Sequence, residues 1–260
     1  MPDLDRPGLS QSLERGVAVL LAFSPDRPTL GISELARQLA LTRSTTHRYV
    51  ATLASLGFLE QDESTRKYRL GRRVLDLGFS TLGSMELREI AAPHLRRLTD
   101  RTGYTSNLAI RDDTDVILVD RVLGRPGRYR HPQLVVGVGA RVPTYCSASG
   151  KVLLAFLSRP ELDGLLDRIE LVPRGPRTIT NRSELLAELE RVRGTGLAVN
   201  DEELESALRA IAAPVRTRAG HVVGAVNLSI PWSPVPMGEL VTELGPALQA
   251  TASEIAAHVI

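Results

Sequence analysis

The chain has 260 residues, of which 43% are apolar and 24% charged, and its formal net charge is +2. This length favours two domains, and the composition is ordinary for a chain that buries a core, which excludes a largely disordered protein. One cysteine excludes an intramolecular disulfide, five scattered histidines form no zinc-ligand pattern, and no apolar run near the start approaches the roughly 20 residues that cross a bilayer. We expect a cytoplasmic protein with no secretory signal, membrane contact, metal or cofactor.

The positive charge is concentrated near the amino terminus. Residues 27–73 contain nine Lys or Arg and four acids, a net charge of +5, so the rest of the chain sums to −3. A basic module joined to a mildly acidic one is typical of a DNA-binding head on a soluble sensor, although a solvated face can show the same excess.

Three helices and two short strands are predicted for the first part of the chain. Apolar spacing predicts helices over 12–23 and from about Ser33, where Ser33-Glu34 offers a cap, to 40–41. Thr42 caps the third helix and Gly57 closes it. The expected inner face of this helix consists of Thr46, Tyr49, Val50, Leu53 and Leu56. Strands at 58–60 and 68–71, joined by a charged loop, predict a wing.

The remainder predicts a linker helix over 72–82, an amphipathic helix over 87–102, and then alternating strands and helices. The expected strands are 105–111, 116–122, 134–138 and 222–230, with a further apolar strand after Arg209. The expected helices are 149–157, 161–167, 183–193 and 239–260. This mixed order predicts an α+β sheet domain.

The outer face of the third helix predicts contact with DNA. Residues 42–56 contain no Asp or Glu, as a helix facing a polyanion requires. Arg can bond guanine in two places and Ser or Thr can bond several base edges, whereas cations of the wing would meet phosphates. The predicted DNA-binding residues are Arg43, Ser44, Thr45, His47, Arg48, Thr52, Arg66 and Lys67. A helical hairpin with a basic exterior is the simpler alternative.

Several segments resemble the IclR family of bacterial transcription regulators, in the family's order. In the first part they are SLERGVAVL (12–20), ISELA (32–36), TRSTTHR (42–48), LASLGFL (53–59), KYRLG (67–71) and VLDLG (74–78). In the second part they are SGKVLLA (149–155), NDEE (200–203), AIAAPV (210–215) and GAVNLS (224–229). The similarity covers nearly the whole chain.

The resemblance implies a winged helix-turn-helix (1–71), a linker helix (72–84) and a GAF-like α/β effector domain (85–260). It also implies homodimers or dimers of dimers on palindromic double-stranded operator DNA. The implied effector-binding residues are Ser147, Ala148, Ser149, Asn200, Ala210, Asn227 and Ser229. Some members bind keto acids, and these have an acidic residue and a cysteine at the positions where this chain has Asn200 and Ala210. Residues 137–151 are similar instead to regulators of protocatechuate and 4-hydroxybenzoate catabolism, which favours an aromatic carboxylate over a keto acid as the small organic acid effector.

Other motifs favour simpler interpretations. Gly150-Lys151 lacks the residues of a phosphate loop, and Cys146 is expected to be a buried apolar residue with no catalytic role. The acids at 201–203 are expected to form a solvated turn after a strand. Arg130, Arg141 and Arg209 are candidate carboxylate partners, with surface solvation as the alternative.

Two hypotheses follow. The first is a ligand-responsive DNA-binding regulator with no enzymatic activity. The second is an enzyme or small-molecule-binding protein whose first helices serve only for assembly. The acid-free third helix followed by a basic wing favours the first hypothesis.

Overall fold

A computed structural model of the chain describes residues 10–125, 137–231 and 233–259. The chain divides into two compact units, the first ending at Ser84 and the second beginning at Met85. None of the described helices is long and apolar enough to cross a membrane.

The first unit packs three helices on a two-stranded hairpin. Its elements are α1 (Gln11–Leu21), α2 (Ile32–Gln38), α3 (Arg43–Ser55), β1 (Leu59–Gln61), β2 (Tyr68–Leu70) and α4 (Arg73–Gly83). β1 and β2 are antiparallel, with Leu59 opposite Leu70. The buried side chains that join these elements include Val19, Leu35, Val50 and Tyr68. The predicted helices and wing are therefore present, and α4 follows them with no buried residue.

Local hydrogen bonds explain where these helices begin and end. The Thr42 hydroxyl accepts a hydrogen bond from the Thr45 N–H and so caps the start of α3. After the end of α3, Gly57 adopts the left-handed backbone conformation, with φ +77°. The cap of α2 is not Ser33-Glu34 as predicted, because the helix starts earlier and the Glu34 carboxylate accepts from the Gly31 N–H at 2.7 Å.

Leu56 corrects the predicted inner face of α3. Thr46 and Val50 are fully buried and Tyr49 and Leu53 are half-buried, but Leu56 is 46% exposed. At about 100° per residue, Leu56 lies about 80° around the helix axis from Thr46, and it occupies the C-cap position where the helix has ended.

The second unit is a six-stranded sheet covered by helices on both faces. Its helices are α5 (Glu86–Thr102), α6 (Ala148–Ala155), α7 (Arg159–Leu166), α8 (Arg182–Thr195) and α9 (Met237–Ala256). Its strands are β3 (Thr105–Asp112), β4 (Asp115–Val122), β5 (Arg141–Pro143), β6 (Ala198–Asp201), β7 (Leu208–Arg216) and β8 (Val222–Pro231). In the described part of the chain their order is β5-β4-β3-β8-β7-β6, with every neighbouring pair antiparallel.

The helices divide between the two faces of this sheet. α5 packs on β3 and β4, α9 packs on β7 and β8, and α6 packs on the opposite face with α8 outside it. Burial on both faces accounts for the nearly continuous apolar run of β7. The α+β class is confirmed.

Three strands differ from the list predicted by periodicity. β5 and β6 were not among the expected strands, since three or four residues give little alternation, and β7 was expected only as an apolar strand after Arg209. The predicted strand 134–138 falls mostly outside the described residues, and within them Gly137 and Val138 lie in a connection that precedes β5 rather than in a strand.

Candidate nucleic-acid interface and effector site

The buried side of α3 fixes which of its side chains face outward. Thr46 and Val50 are fully buried, and the Thr46 hydroxyl donates to the Thr42 carbonyl at 3.0 Å. With that side held inward, most of the predicted DNA-binding side chains of the helix are exposed and Thr45 is half-buried. The exposed ones are Arg43, Ser44, His47, Arg48 and Thr52.

These outward side chains differ in how far they are already engaged within the chain. The Thr45 hydroxyl accepts from the Thr42 hydroxyl at 2.8 Å, and the Thr52 hydroxyl donates to the Arg48 carbonyl at 2.9 Å. Among the described residues, neither Arg43 nor His47 has a side-chain hydrogen bond or ion pair. The Arg48 guanidinium carbon lies 5.8 Å from the centre of the Tyr49 ring. The face is therefore rich in donors and free of acids.

The wing is held by a tight turn at Asp62. Its carboxylate accepts from the N–H and hydroxyl groups of Ser64 and Thr65, which lower its pKa to about 2. Arg66 follows at φ +57° with its side chain exposed. The Lys67 ammonium group lies 3.5 Å from the Glu34 carboxylate, so this predicted phosphate contact also joins the wing to α2. Exposed ion pairs of this kind contribute little to stability, so a DNA phosphate can compete with Glu34 for the lysine.

Apolar side chains are exposed on the first and last helices of the first unit. On α1 these are Leu13, Val17 and Leu21, which recur every four residues on one face. On α4 they are Leu75, Leu77 and Phe79. Contiguous exposed apolar patches are candidate surfaces for contact with a partner.

In the second unit, α6 begins against the sheet at Ser147. The Ser147 hydroxyl accepts from the Gly150 N–H at 3.2 Å and donates to the Pro143 carbonyl at 2.8 Å. It therefore caps the helix rather than offering a free group to a ligand. A Cβ at Gly150 would lie 2.2 Å from the Thr144 carbonyl oxygen, so the glycine before Lys151 serves this close approach.

A buried polar cluster joins α6 to the middle of the sheet. Asn227 of β8 donates through Nδ2 to the Ser149 hydroxyl at 2.6 Å and accepts through Oδ1 from Asn107 Nδ2 at 2.7 Å. Asn107 Nδ2 also donates to the Ser229 hydroxyl at 3.0 Å. Asn107, which lies opposite Asn227 on β3, was not among the residues predicted from the sequence. An asparagine directly before the apolar residues Leu108, Ala109 and Ile110 of a predicted strand is the signal that could have identified it.

The remaining predicted effector residues lie on the same face of neighbouring strands. Asn200 pairs with Ala210, and Ala210 pairs with Ser229, so the three positions form a row across β6, β7 and β8. The Asn200 Oδ1 accepts from the N–H groups of Glu203 and Leu204, at 2.8 and 3.3 Å. Its carbonyl oxygen is thus committed to the turn after β6. The structure brings all seven predicted effector positions to the face of the sheet covered by α6.

Lys151 corrects the expectation of a solvated turn at 201–203. Its side chain is 1% exposed, and its ammonium group lies 2.6 Å from Glu203 and 3.0 Å from Glu188. Burial raises the pKa of Glu203, although Lys151 acts in the opposite direction. The end of the turn is buried because a buried lysine needs a carboxylate beside it, and Glu203 is that carboxylate. Gly150-Lys151 therefore serves the packing of α6.

Two of the candidate arginines are already paired, and the cysteine is buried. Arg141 pairs with Asp112 and Asp115. Arg209 lies 2.7 Å from Asp201 and donates to the carbonyls of Ser233 and Val235. Arg130 lies outside the described residues. Burial raises the pKa of the Cys146 thiol to about 11, which removes it as a nucleophile at neutral pH.

Comparison with known families matches both parts of the chain. Residues 12–63 match the IclR helix-turn-helix domain, and residues 79–257 match the C-terminal domain of the bacterial transcriptional regulator IclR.

Two curated relatives and one solved structure illustrate the similarity. The chain is 32% identical to the HTH-type transcriptional regulator XynR of Escherichia coli K12, over 88% of this chain and 90% of that protein. It is 32% identical to the Pca regulon regulatory protein of Pseudomonas putida, over 96% and 84%. The crystal structure of an IclR homolog complexed with 4-hydroxybenzoate, from Microbacterium hydrocarbonoxydans, superposes with a TM-score of 0.79 at 28% identity, covering 95% of this chain and 98% of that one.

Proposed function

Because this chain belongs to the IclR family of bacterial transcriptional regulators, we propose that it controls transcription from palindromic operator DNA in response to a small organic acid. The chain is a regulator with a helix-turn-helix DNA-binding domain and a C-terminal ligand-binding domain. Its curated relatives are named as regulators and not as enzymes, which sets aside the hypothesis that the first helices serve only for assembly. We place its action in the cytoplasm, where the DNA is.

The observation that carries the DNA-binding proposal is the acid-free outward face of α3. Burial of Thr46 and Val50 leaves Arg43, His47 and Arg48 exposed together. An α-helix fits the major groove of DNA, where arginine can form two hydrogen bonds to guanine. Arg66 and Lys67 of the wing would then lie along phosphates. We assign operator binding to 1–71, the linker to 72–84 and effector binding to 85–260, an assignment supported by the unit boundary after Ser84.

Assembly of two copies is supported by the exposed apolar faces of α1 and α4. Leu21 and Phe79 are among the most exposed large apolar side chains of the described residues. A second copy that covers these faces would hold two α3 helices for successive major grooves about 34 Å apart, which requires an operator with two-fold symmetry. Dimers of dimers would extend the same arrangement.

The start of α6 supports an acid as the effector. The first N–H groups of a helix have no partner within it, and the helix dipole favours negative charge there. The Ser147 hydroxyl accepts a hydrogen bond from the Gly150 N–H. The N–H groups of Ala148 and Ser149 come before it in the first turn of the helix. A carboxylate at this point would leave the rest of the ligand facing Asn200, Ala210, Asn227 and Ser229. The relative crystallised with 4-hydroxybenzoate supports an aromatic acid over a keto acid.

Selection of binding sites from random duplex DNA tests the proposal for the head. We expect enrichment of an inverted repeat by the full chain, and loss of this enrichment when Arg43, His47 and Arg48 are all replaced by Ala. Arg159→Ala, which removes an exposed cation of α7, is the control and should select the same repeat. Equal selection by the triple variant would contradict the proposal.

Sedimentation of the full chain tests assembly. Leu21→Glu and Phe79→Glu should shift the protein toward smaller species and weaken operator binding, whereas Leu123→Glu, at an exposed apolar residue of the second unit, should do neither. An unchanged sedimentation profile in both head variants would show that another surface holds the copies together.

Calorimetry against benzoate-type and keto acids tests the effector. Binding of an aromatic carboxylate is the expected result. Failure of every acid to bind would remove the effector assignment while leaving the operator proposal intact.

A further inference from the structure

Asn107 carries a buried acceptor that no described part of the chain satisfies. The residue is 1% exposed, and its Nδ2 bonds both Asn227 Oδ1 and Ser229 Oγ. Its Oδ1 is also buried, yet it receives no hydrogen bond from any residue that the structure describes. Most buried polar groups in folded proteins have a partner, and leaving one unpaired is costly.

The amide donors of this cluster are already committed. Asn227 Nδ2 donates to the Ser149 hydroxyl, and Asn107 Nδ2 donates to Asn227 Oδ1 and the Ser229 hydroxyl. The cluster of Asn107, Ser149, Asn227 and Ser229 consists of neutral side chains. It can therefore recognise a neutral hydrogen-bonding group but gives no counter-charge for a second ionised one.

We propose that Asn107 is a specificity-determining residue of the effector site, and that its Oδ1 accepts a hydrogen bond from a hydroxyl or amino group of the ligand. The inference rests on the proposed effector function and narrows it to organic acids that carry a donor remote from the carboxylate. An acid without such a donor leaves the buried oxygen unpaired. Sites built to bond a hydroxyl discriminate strongly against analogues that lack it.

A series of matched acids tests this on the unmodified full chain. The probes are benzoate, 3- and 4-hydroxybenzoate, 4-aminobenzoate and 4-methoxybenzoate, measured by calorimetry. We expect the best hydroxyl- or amino-bearing acid to bind on the order of tenfold more tightly than benzoate, since one buried hydrogen bond separates them. 4-Methoxybenzoate, which accepts but does not donate, should bind no better than benzoate.

The variant Asn107→Ala tests the residue itself. The ratio of the dissociation constants of benzoate and the preferred donor-bearing acid, measured within one variant, cancels any general weakening of the site. We expect this ratio to fall to within about twofold of unity in Asn107→Ala, because the acceptor is gone. Ser106→Ala is the control, since Ser106 is the neighbouring residue of β3 but bonds Thr99 and the Leu95 carbonyl. It should keep the wild-type ratio.

Each other outcome has a distinct meaning. Equal binding of benzoate and the hydroxybenzoates by the wild-type chain overturns the inference but leaves the effector site standing, as does a preference for 4-methoxybenzoate. A donor preference that persists in folded Asn107→Ala shows that another group reads the donor and also overturns it. Binding of none of the acids overturns both this inference and the proposed effector. If Asn107→Ala does not fold, the same ratio is measured in Asn107→Leu, which keeps the side-chain size but has no acceptor, and a persisting donor preference there also overturns the inference.

Discussion

The ammonium group of Lys151 and the carboxylate of Glu203 meet at 2.6 Å in the core of the second unit, where both side chains are buried. Lys151 belongs to the helix whose first residues face the proposed effector site, and Glu203 to the turn that Asn200 caps. The pair therefore fixes α6 relative to the end of β6.

Replacement of this lysine should be strongly destabilising. In Lys151→Met the carboxylates of Glu203 and Glu188 lose their buried cation, and we expect a loss of about 3–5 kcal/mol in the free energy of unfolding. Adding Glu203→Gln should recover part of that loss. Arg159→Met, which breaks an exposed pair with Asp163, is the control and should change stability by less than about 1 kcal/mol. Urea unfolding of the full chain measures all three variants, and equal effects at both sites would contradict the role given to Lys151.

Two glycine-to-alanine changes should have opposite effects. Gly150→Ala places a methyl group against the Thr144 backbone and should destabilise the chain and weaken effector binding. Gly164→Ala in α7 meets nothing within 4 Å and should stabilise the helix by up to about 1 kcal/mol. Thermal unfolding compares the two variants. A Gly150→Ala protein as stable as wild type would mean that α6 does not pack as described.

The head should separate base reading from phosphate contact. Arg48→Ala should cost about 1–3 kcal/mol on the operator and relax base choice, whereas Lys67→Ala should weaken binding to all sequences and reduce the salt slope by about one. Fluorescence anisotropy on operator and random duplexes over a range of salt concentrations measures both. Equal losses on the two duplexes for Arg48→Ala would contradict base reading.

Asn227 should be needed for the ligand response and not for DNA binding. Asn227→Leu removes the bonds to Asn107 and Ser149, so operator affinity should stay near wild type while the effector no longer changes it. Thr242→Leu on the exposed side of α9 is the matched control and should respond normally. A normal response in Asn227→Leu would exclude the residue from the site.

The wing turn should resist mild acid. Because Ser64 and Thr65 lower the pKa of Asp62 from 3.8 to about 2, its folded-state pKa lies below its unfolded one. Its contribution to stability is therefore present above about pH 4 and is lost as the pH falls through about 2. NMR titration should give a midpoint near 2 for Asp62 and a higher one in a variant carrying both Ser64→Ala and Thr65→Ala. An unchanged midpoint would show that those hydroxyls do not hold the carboxylate.

Sequence periodicity predicted the first unit well because its helices are amphipathic and α3 carries its own cap. Thr42 and Gly57 mark the ends of α3 directly. Leu56 was wrongly assigned to the inner face of α3 because the helical spacing of apolar residues continues in the sequence beyond the last residue of the helix. The sheet was harder to predict, since β5 and β6 are too short to alternate.

The polar interior could be predicted only in part. Asn227 and Ser149 came from the resemblance to a family, but Asn107 and the Lys151–Glu203 pair depend on which strands and helices become neighbours. Residues 107 and 227 are 120 positions apart and meet because β3 pairs with β8. Local sequence patterns do not contain that pairing.

The division of labour around α6 bears on how such a protein could be re-engineered. Ser147, Gly150 and Lys151 hold the backbone of α6, whereas Asn107, Ala210 and Ser229 lie on strands of the sheet face that α6 covers. Under the proposed effector function, substitutions at the second group should alter chemical preference while the first group preserves the geometry. On that proposal the chain would serve as a scaffold for biosensors in which a few positions on the sheet are changed to bind a new analyte.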